Sequence, residues 1–154
     1  MVFYTDGSAH PNPGPGGWGV VMVEGNKVIK KFTKQYGTSV TNNQMELEAV
    51  LFVMKNYGFN EKDDWFAYEP IVYCDSSYVV NTFTDWMFRW ANNDWKNSSK
   101  KTPENLDFIQ SYYNLYQQGY RIDLRKVAGH AGNEFNELAD RLATGKEEGD
   151  VIWL

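Results

Sequence analysis

Only one cysteine, Cys74, occurs in the 154 residues, which excludes an internal disulfide and a thiolate zinc cluster and fits a reducing compartment. Cys74 is expected to pack as a small apolar residue. The opening stretch Met1-Val2-Phe3-Tyr4-Thr5-Asp6 lacks a basic segment followed by an apolar one, and no apolar run is long enough to span a bilayer. A soluble cytoplasmic protein with no membrane partner is therefore expected. Asn97-Ser98-Ser99 matches a glycosylation sequon, but without a secretory leader it reads as a chance match. An excess of basic charge is missing as well. The formal charge of −5 argues against a protein that holds nucleic acid by bulk positive charge.

What is present is ordinary globular material, 42% hydrophobic and 16% aromatic, enough for one domain with a full core. Val2 to Thr5 and Trp18 to Val23 read as strands around the Gly/Pro-rich loop His10 to Gly17, and a third strand follows Glu24-Gly25-Asn26-Lys27 over Val28 to Tyr36. These form an antiparallel meander. Thr41-Asn42-Asn43 caps a helix whose apolar residues Met45, Leu47, Val50, Leu51, Val53 and Met54 recur at helical spacing up to Tyr57-Gly58. Ile71 to Cys74 is an apolar strand running into Asp75-Ser76-Ser77 as a helix cap. Trp86 to Lys101 is the candidate protrusion, Pro103 to about Gln118 a helix, Tyr120 to Val127 a strand, and Glu134 to Thr144 the last helix. The division is a domain over 1–145 and a loosely attached tail over 146–154.

Strands followed by alternating helix and strand imply an α/β fold, a mixed sheet with helices on its faces. Asp6 then falls just beyond a strand, Asp75 at a strand's carboxyl end, and Glu46 and Asp140 on helices. Taken singly, each has an ordinary explanation as a turn, cap or solvated helix residue. Each also sits in a larger motif: Tyr4-Thr5-Asp6-Gly7-Ser8-Ala9, Thr41-Asn42-Asn43-Gln44-Met45-Glu46-Leu47, Tyr73-Cys74-Asp75-Ser76-Ser77-Tyr78, and Gly129-His130-Ala131-Gly132 running to Asn136-Glu137-Leu138-Ala139-Asp140. In this order and spacing the motifs closely resemble the type 1 ribonuclease H family, over nearly the whole chain.

The resemblance implies the ribonuclease H-like fold, a five-stranded sheet of three antiparallel strands continued by two parallel ones, flanked by helices. It implies a metal-dependent endonuclease that hydrolyses the RNA strand of an RNA–DNA hybrid and leaves a 5′-phosphate and a 3′-hydroxyl. Asp6, Glu46, Asp75 and Asp140 become ligands of two Mg²⁺ ions, and His130 a mobile auxiliary residue. The chemistry of the residues agrees, because Mg²⁺ prefers hard oxygen ligands and clustered carboxylates repel one another without a cation. Mn²⁺ accepts similar ligands, and which carboxylate holds which ion stays open. Two divalent ions bring the charge of −5 to about −1, so local basic patches can meet phosphates.

By the same resemblance Ser8, Asn12, Asn42, Asn43 and Gln44 line the minor groove of the hybrid and Thr41 helps hold a DNA phosphate, roles compatible with turn and cap chemistry. His10, in the Pro-rich loop, is read as a surface residue. The segment with Trp86, Trp90 and Trp95 resembles the family's substrate-binding handle in diluted form: Arg89, Lys96, Lys100 and Lys101 are offset by Asp85 and Asp94, and Ala91-Asn92-Asn93 fills a stretch often basic in relatives. The tryptophans are expected to be chiefly core and Lys96, Lys100 and Lys101 to touch phosphates. The protein is expected to act as a monomer. The alternatives are another nuclease of the same broad fold and a non-catalytic nucleic-acid-binding module, which the loss of a carboxylate would favour.

Overall fold

The computed structural model describes residues 1–62, 68–127 and 133–151. Strand β1 (Val2–Ala9) pairs antiparallel with β2 (Gly14–Glu24), and β2 with β3 (Lys27–Val40). Helix α1 (Asn42–Tyr57) follows, then the short β4 (Phe59–Asn60) and β5 (Ile71–Cys74), which lies parallel to β1. Helix α2 (Ser77–Asn81), a π-helical turn over Thr82–Trp86 and helix α3 (Met87–Ala91) make one continuous rod, roughly 22 Å long at the helical rise. After it come α4 (Leu106–Gln117), β6 (Tyr120–Arg121), β7 (Asp123–Lys126), α5 (Glu134–Ala143) and β8 (Asp150–Val151).

The main sheet runs β7-β5-β1-β2-β3-β8, while β4 and β6 form a separate two-stranded ribbon. Its first five strands are the three antiparallel and two parallel strands expected from the sequence. The sixth corrects the expectation of a loose tail for its described residues, because Asp150 and Val151 pair with Phe32 and Thr33 on the edge of β3. Lys31 Nζ also reaches Glu147 Oε1 at 3.2 Å. Boundaries move as well: β2 and β3 are longer than expected, and the strand expected over Tyr120 to Val127 is split into β6 and β7, in different sheets. β1 continues through Asp6 to Ala9, because Gly16 and Gly17 present no side chain and can pair as strand with Ala9 and Ser8. α4 begins at Leu106 rather than Pro103, after Asn105 in the left-handed region at φ 61°.

Alternation along the strands gives the sheet two buried faces. On one, Phe3, Trp18, Val20, Met22 and Phe32 pack under Met45, Ala49 and Val53 of α1. On the other, Val21 and Val23 pack under Leu138, Ala139 and Leu142 of α5. The outer side of α1 (Leu47, Val50, Met54) joins Val79, Phe83, Met87, Ile109 and Tyr112 in a further cluster, so α1 is buried nearly all round.

Candidate active site

Two glycines let helices reach the sheet at the level of Asp6. A Cβ on Gly7 would lie 2.4 Å from the Met45 carbonyl carbon and 2.5 Å from Glu46 N, so only a bare strand admits α1 this closely. A Cβ on Gly19, the cross-strand partner of Asp6, would lie 2.4 Å from Leu142 Cβ and 2.6 Å from Ala139 O. α5 therefore settles on the opposite face, carrying Asp140 beside Ala139. β5 supplies the third approach. Thr5 is in register with Cys74, and the residues that follow, Asp6 and Asp75, continue two parallel neighbours.

Asp6 is only 7% exposed, and its Oδ1 accepts a hydrogen bond from Gly7 N at 2.9 Å. Its carboxyl also shares a hydrogen bond with Glu46, which hydrogen-bonds Ser76 in turn. Burial, reinforced by the Asp75 charge, pushes Asp6 up to about 9 and Glu46 to about 7. Burial and like charge both disfavour ionisation, so the hydrogen-bonded carboxyls favour sharing a proton.

Ligand atoms of Glu46, Cys74 and Asp75 lie within 4.8 Å of one another. Burial pushes the Cys74 thiol up, so it keeps its proton and leaves oxygen donors to do the binding. This donor set fits a hard divalent cation rather than zinc. Asp140 is exposed on α5.

The carboxylates open into a cavity of about 530 Å³, walled by Gly7, Ser8, His10 and Asn12 on one side and by Asn42, Glu46, Asp75 and Ser76 on the other. Backbone N–H groups fix the orientation of its amides. Asn42 Oδ1 accepts from Ala9 N at 2.6 Å, and Asn12 Oδ1 from Asn42 N at 3.1 Å. Gln44 Oε1 accepts from Thr41 N at 2.9 Å while Thr41 Oγ1 accepts from Gln44 N at 3.1 Å, a complete capping box. Each amide thus has its oxygen engaged by backbone and its NH₂ available as a donor. Asn43 is exposed on the same first turn.

Among the sequence-derived site residues, Asp6, Glu46, Asp75, Ser8, Asn12 and Asn42 meet at this cavity or its floor, and Thr41, Asn43 and Gln44 sit at the helix end beside it. Lys96, Lys100 and Lys101 are elsewhere, exposed beyond the far end of the α2–α3 rod, where Lys96 Nζ donates to Thr102 Oγ1 at 3.1 Å. His130 lies outside the described residues. The tryptophans need correction: Trp86, Trp90 and Trp95 are half-buried rather than core. Trp90 and Trp95 pack on the α2–α4 cluster on one side, while Trp86 and Trp90 wall a cavity of about 460 Å³ with Arg89, Asn93, Lys96 and Asn97. Ser76 and His10 are site residues that sequence reasoning missed. Ser76 has a sufficient local role, capping α2 through Val79 N at 3.3 Å, and the His10 loop reaches the site only through its bonds to α1.

The RNase H family profile matches residues 1–148. Ribonuclease H of Chlorobium phaeobacteroides (strain BS1) is 37% identical over 145 residues, covering 94% of this chain and 92% of that protein. The solution structure of the PFV RNase H domain superposes with a TM-score of 0.73 at 26% identity, over 94% of this chain and 92% of that one. LC11-RNase H1, solved in complex with an RNA/DNA hybrid, gives a TM-score of 0.62 at 26% identity over 92% of both chains.

Proposed function

The chain belongs to the ribonuclease H family, a family of hydrolytic nucleases whose general activity is cleavage of RNA–DNA hybrids, and from that premise we propose how it acts. It is an endonuclease that cuts the RNA strand with two divalent cations, Mg²⁺ or Mn²⁺ in its place, held by Asp6, Glu46, Asp75 and Asp140. The observation that carries this reading is the buried Asp6–Glu46 carboxyl pair beside Asp75, on the floor of a cavity rimmed by amide donors.

Bound cations there supply an activated water and neutralise charge on the scissile phosphate. The chain's own residues do the rest. Asp6, rigid in the strand and held by Gly7 N, would hold the cations against the reacting phosphate, and Glu46 is fixed beside it by the close approach of α1 at Gly7. Asn12, Asn42 and Gln44, each presenting NH₂, offer donors to the acceptor atoms of a minor groove and to 2′-hydroxyl oxygens. Ser8 and Asn43 extend that row, and Thr41 offers its hydroxyl to a phosphate. His130 serves as the auxiliary proton carrier, for which imidazole is suited near neutral pH. Lys96, Lys100 and Lys101, exposed beyond the α2–α3 rod, meet phosphates away from the reaction centre. The products carry a 5′-phosphate and a 3′-hydroxyl.

Incubation with end-labelled RNA–DNA hybrid, RNA duplex and DNA duplex, with Mg²⁺ or a chelator, tests reaction, substrate and cofactor together. Cleavage confined to the RNA of the hybrid, abolished by chelator, and giving ends that a ligase rejoins is the expected result. Cleavage of the DNA duplex, or activity that persists in chelator, would overturn the proposal.

A further inference from the structure

We infer that His10 holds a phosphate of the RNA strand a few nucleotides from the scissile one, an inference that rests on the hybrid-cleaving activity proposed above. Backbone pairing sets the direction of its side chain. Asp6 pairs with Gly19 and Ser8 with Gly17 across β1 and β2. His10 N donates to Pro15 O at 2.9 Å, the next step of the same ladder, so the pairing carries one residue past the end of β1. Successive side chains alternate between faces of a strand. Val2 and Tyr4 pack on the α5 side, the side to which a Cβ on Gly19 would also point, and Asp6, Ser8 and His10 continue that row.

The row runs along an open edge. β5 pairs with β1 from Val2 to Thr5, so from Asp6 onward, among the described residues, no strand flanks β1 on that side. The carboxylate cavity occupies the gap, and His10 lines it and is exposed. His10 stands four residues from Asp6, about 13 Å along an extended chain, which spans a few nucleotides at about 3.4 Å of helix axis each.

The chemistry of the wall selects the ligand. Around His10 the cavity presents hydroxyls and amides from Ser8, Asn12, Asn42 and Ser76 and carboxylates from Glu46 and Asp75. Among the described residues of that wall only His10 can carry positive charge. Cations at the carboxylates neutralise the scissile phosphate, but a phosphate farther along the strand lies beyond them, against a chain of formal charge −5. An imidazole N–H is the donor placed to take it. One ring nitrogen donates in the neutral form and both in the charged form, so the contact does not depend on a single protonation state.

The test uses the full chain, Mg²⁺ and end-labelled hybrids in which one RNA linkage at a time is an uncharged methylphosphonate on a 2′-O-methyl nucleotide. The same hybrids with 2′-O-methyl and an ordinary phosphate are the controls. The parent protein is expected to avoid the cut that lies a fixed few nucleotides from each neutral linkage. His10→Ala is expected to cut there as readily as in the control hybrid, and His10→Lys to avoid it as the parent does. On plain hybrid His10→Ala should raise KM about fivefold to tenfold with kcat unchanged. An unchanged KM, a fall in kcat in its place, or the same pattern of cuts by the parent and H10A would each overturn the inference. So would loss of the avoidance in both H10A and H10K, which would mark the shape of the loop as the cause. A parent protein that leaves plain hybrid uncut would overturn the underlying reading, and the inference with it.

Discussion

Asp6 sits where three constraints meet: a strand holds its backbone, Gly7 N holds one carboxylate oxygen, and Glu46 and Asp75 crowd its charge. Asp6→Asn keeps the shape and hydrogen bonding of the side chain but removes a charged ligand. Hydrolysis of hybrid is expected to fall at least about 100-fold, measured in single-turnover assays, with hybrid affinity nearly unchanged. The same variant should be more stable than the parent when metal-free. Burial and like charge keep the Asp6 carboxyl protonated in the fold up to about 9, so at pH 8 folding takes up a proton that the amide does not need, and the variant gains at least about 1 kcal/mol. Urea midpoints in chelator at pH 8 would show it, and a loss of stability there would contradict the crowding.

At the scale of elements, the site depends on how closely two helices approach a strand pair. Gly7→Ala would drive a methyl into the backbone of Met45 and Glu46, and neither partner is a flexible side-chain end. α1 must then lift, at a cost of about 1–3 kcal/mol, and Glu46 moves with it. The expected signature is a fall in kcat larger than any change in KM, together with a lower urea midpoint. The handle gives a different kind of outcome. Neutralising Lys96, Lys100 and Lys101 together, all exposed, should weaken hybrid binding and reduce the slope of log affinity against log salt by on the order of one per lysine. Cleavage at saturating hybrid should hardly change. An unaltered slope would leave recognition to the amide-lined cavity alone.

At the scale of the whole molecule, the carboxylate cluster ties stability to pH and metal. Asp6 and Glu46 are protonated in folded and unfolded chains alike below about pH 4. Above it the unfolded chain releases both protons, while the fold holds them until about 7 for Glu46 and about 9 for Asp6. The stability they contribute is therefore present at low pH and lost as the pH rises through that window. Without metal, Tm should fall between pH 5 and pH 9. Saturating Mg²⁺ should flatten the fall, adding about 2.7 kcal/mol at a hundredfold excess over Kd, and a pH profile identical with and without Mg²⁺ would contradict the cluster's role. The order of strands and helices was legible in the sequence, because alternation, capping signals such as Thr41 to Gln44 and the Gly/Pro turns are local and repeat along the chain. Each of the four carboxylates proposed as ligands stands in an extended motif of its own, and the structure brings Asp6, Glu46 and Asp75 together. Tertiary structure alone decided the rest. The tail's pairing with Phe32 and Thr33, the joint role of His10 and Ser76 at the cavity and the half-buried state of the tryptophans depend on residues distant in sequence.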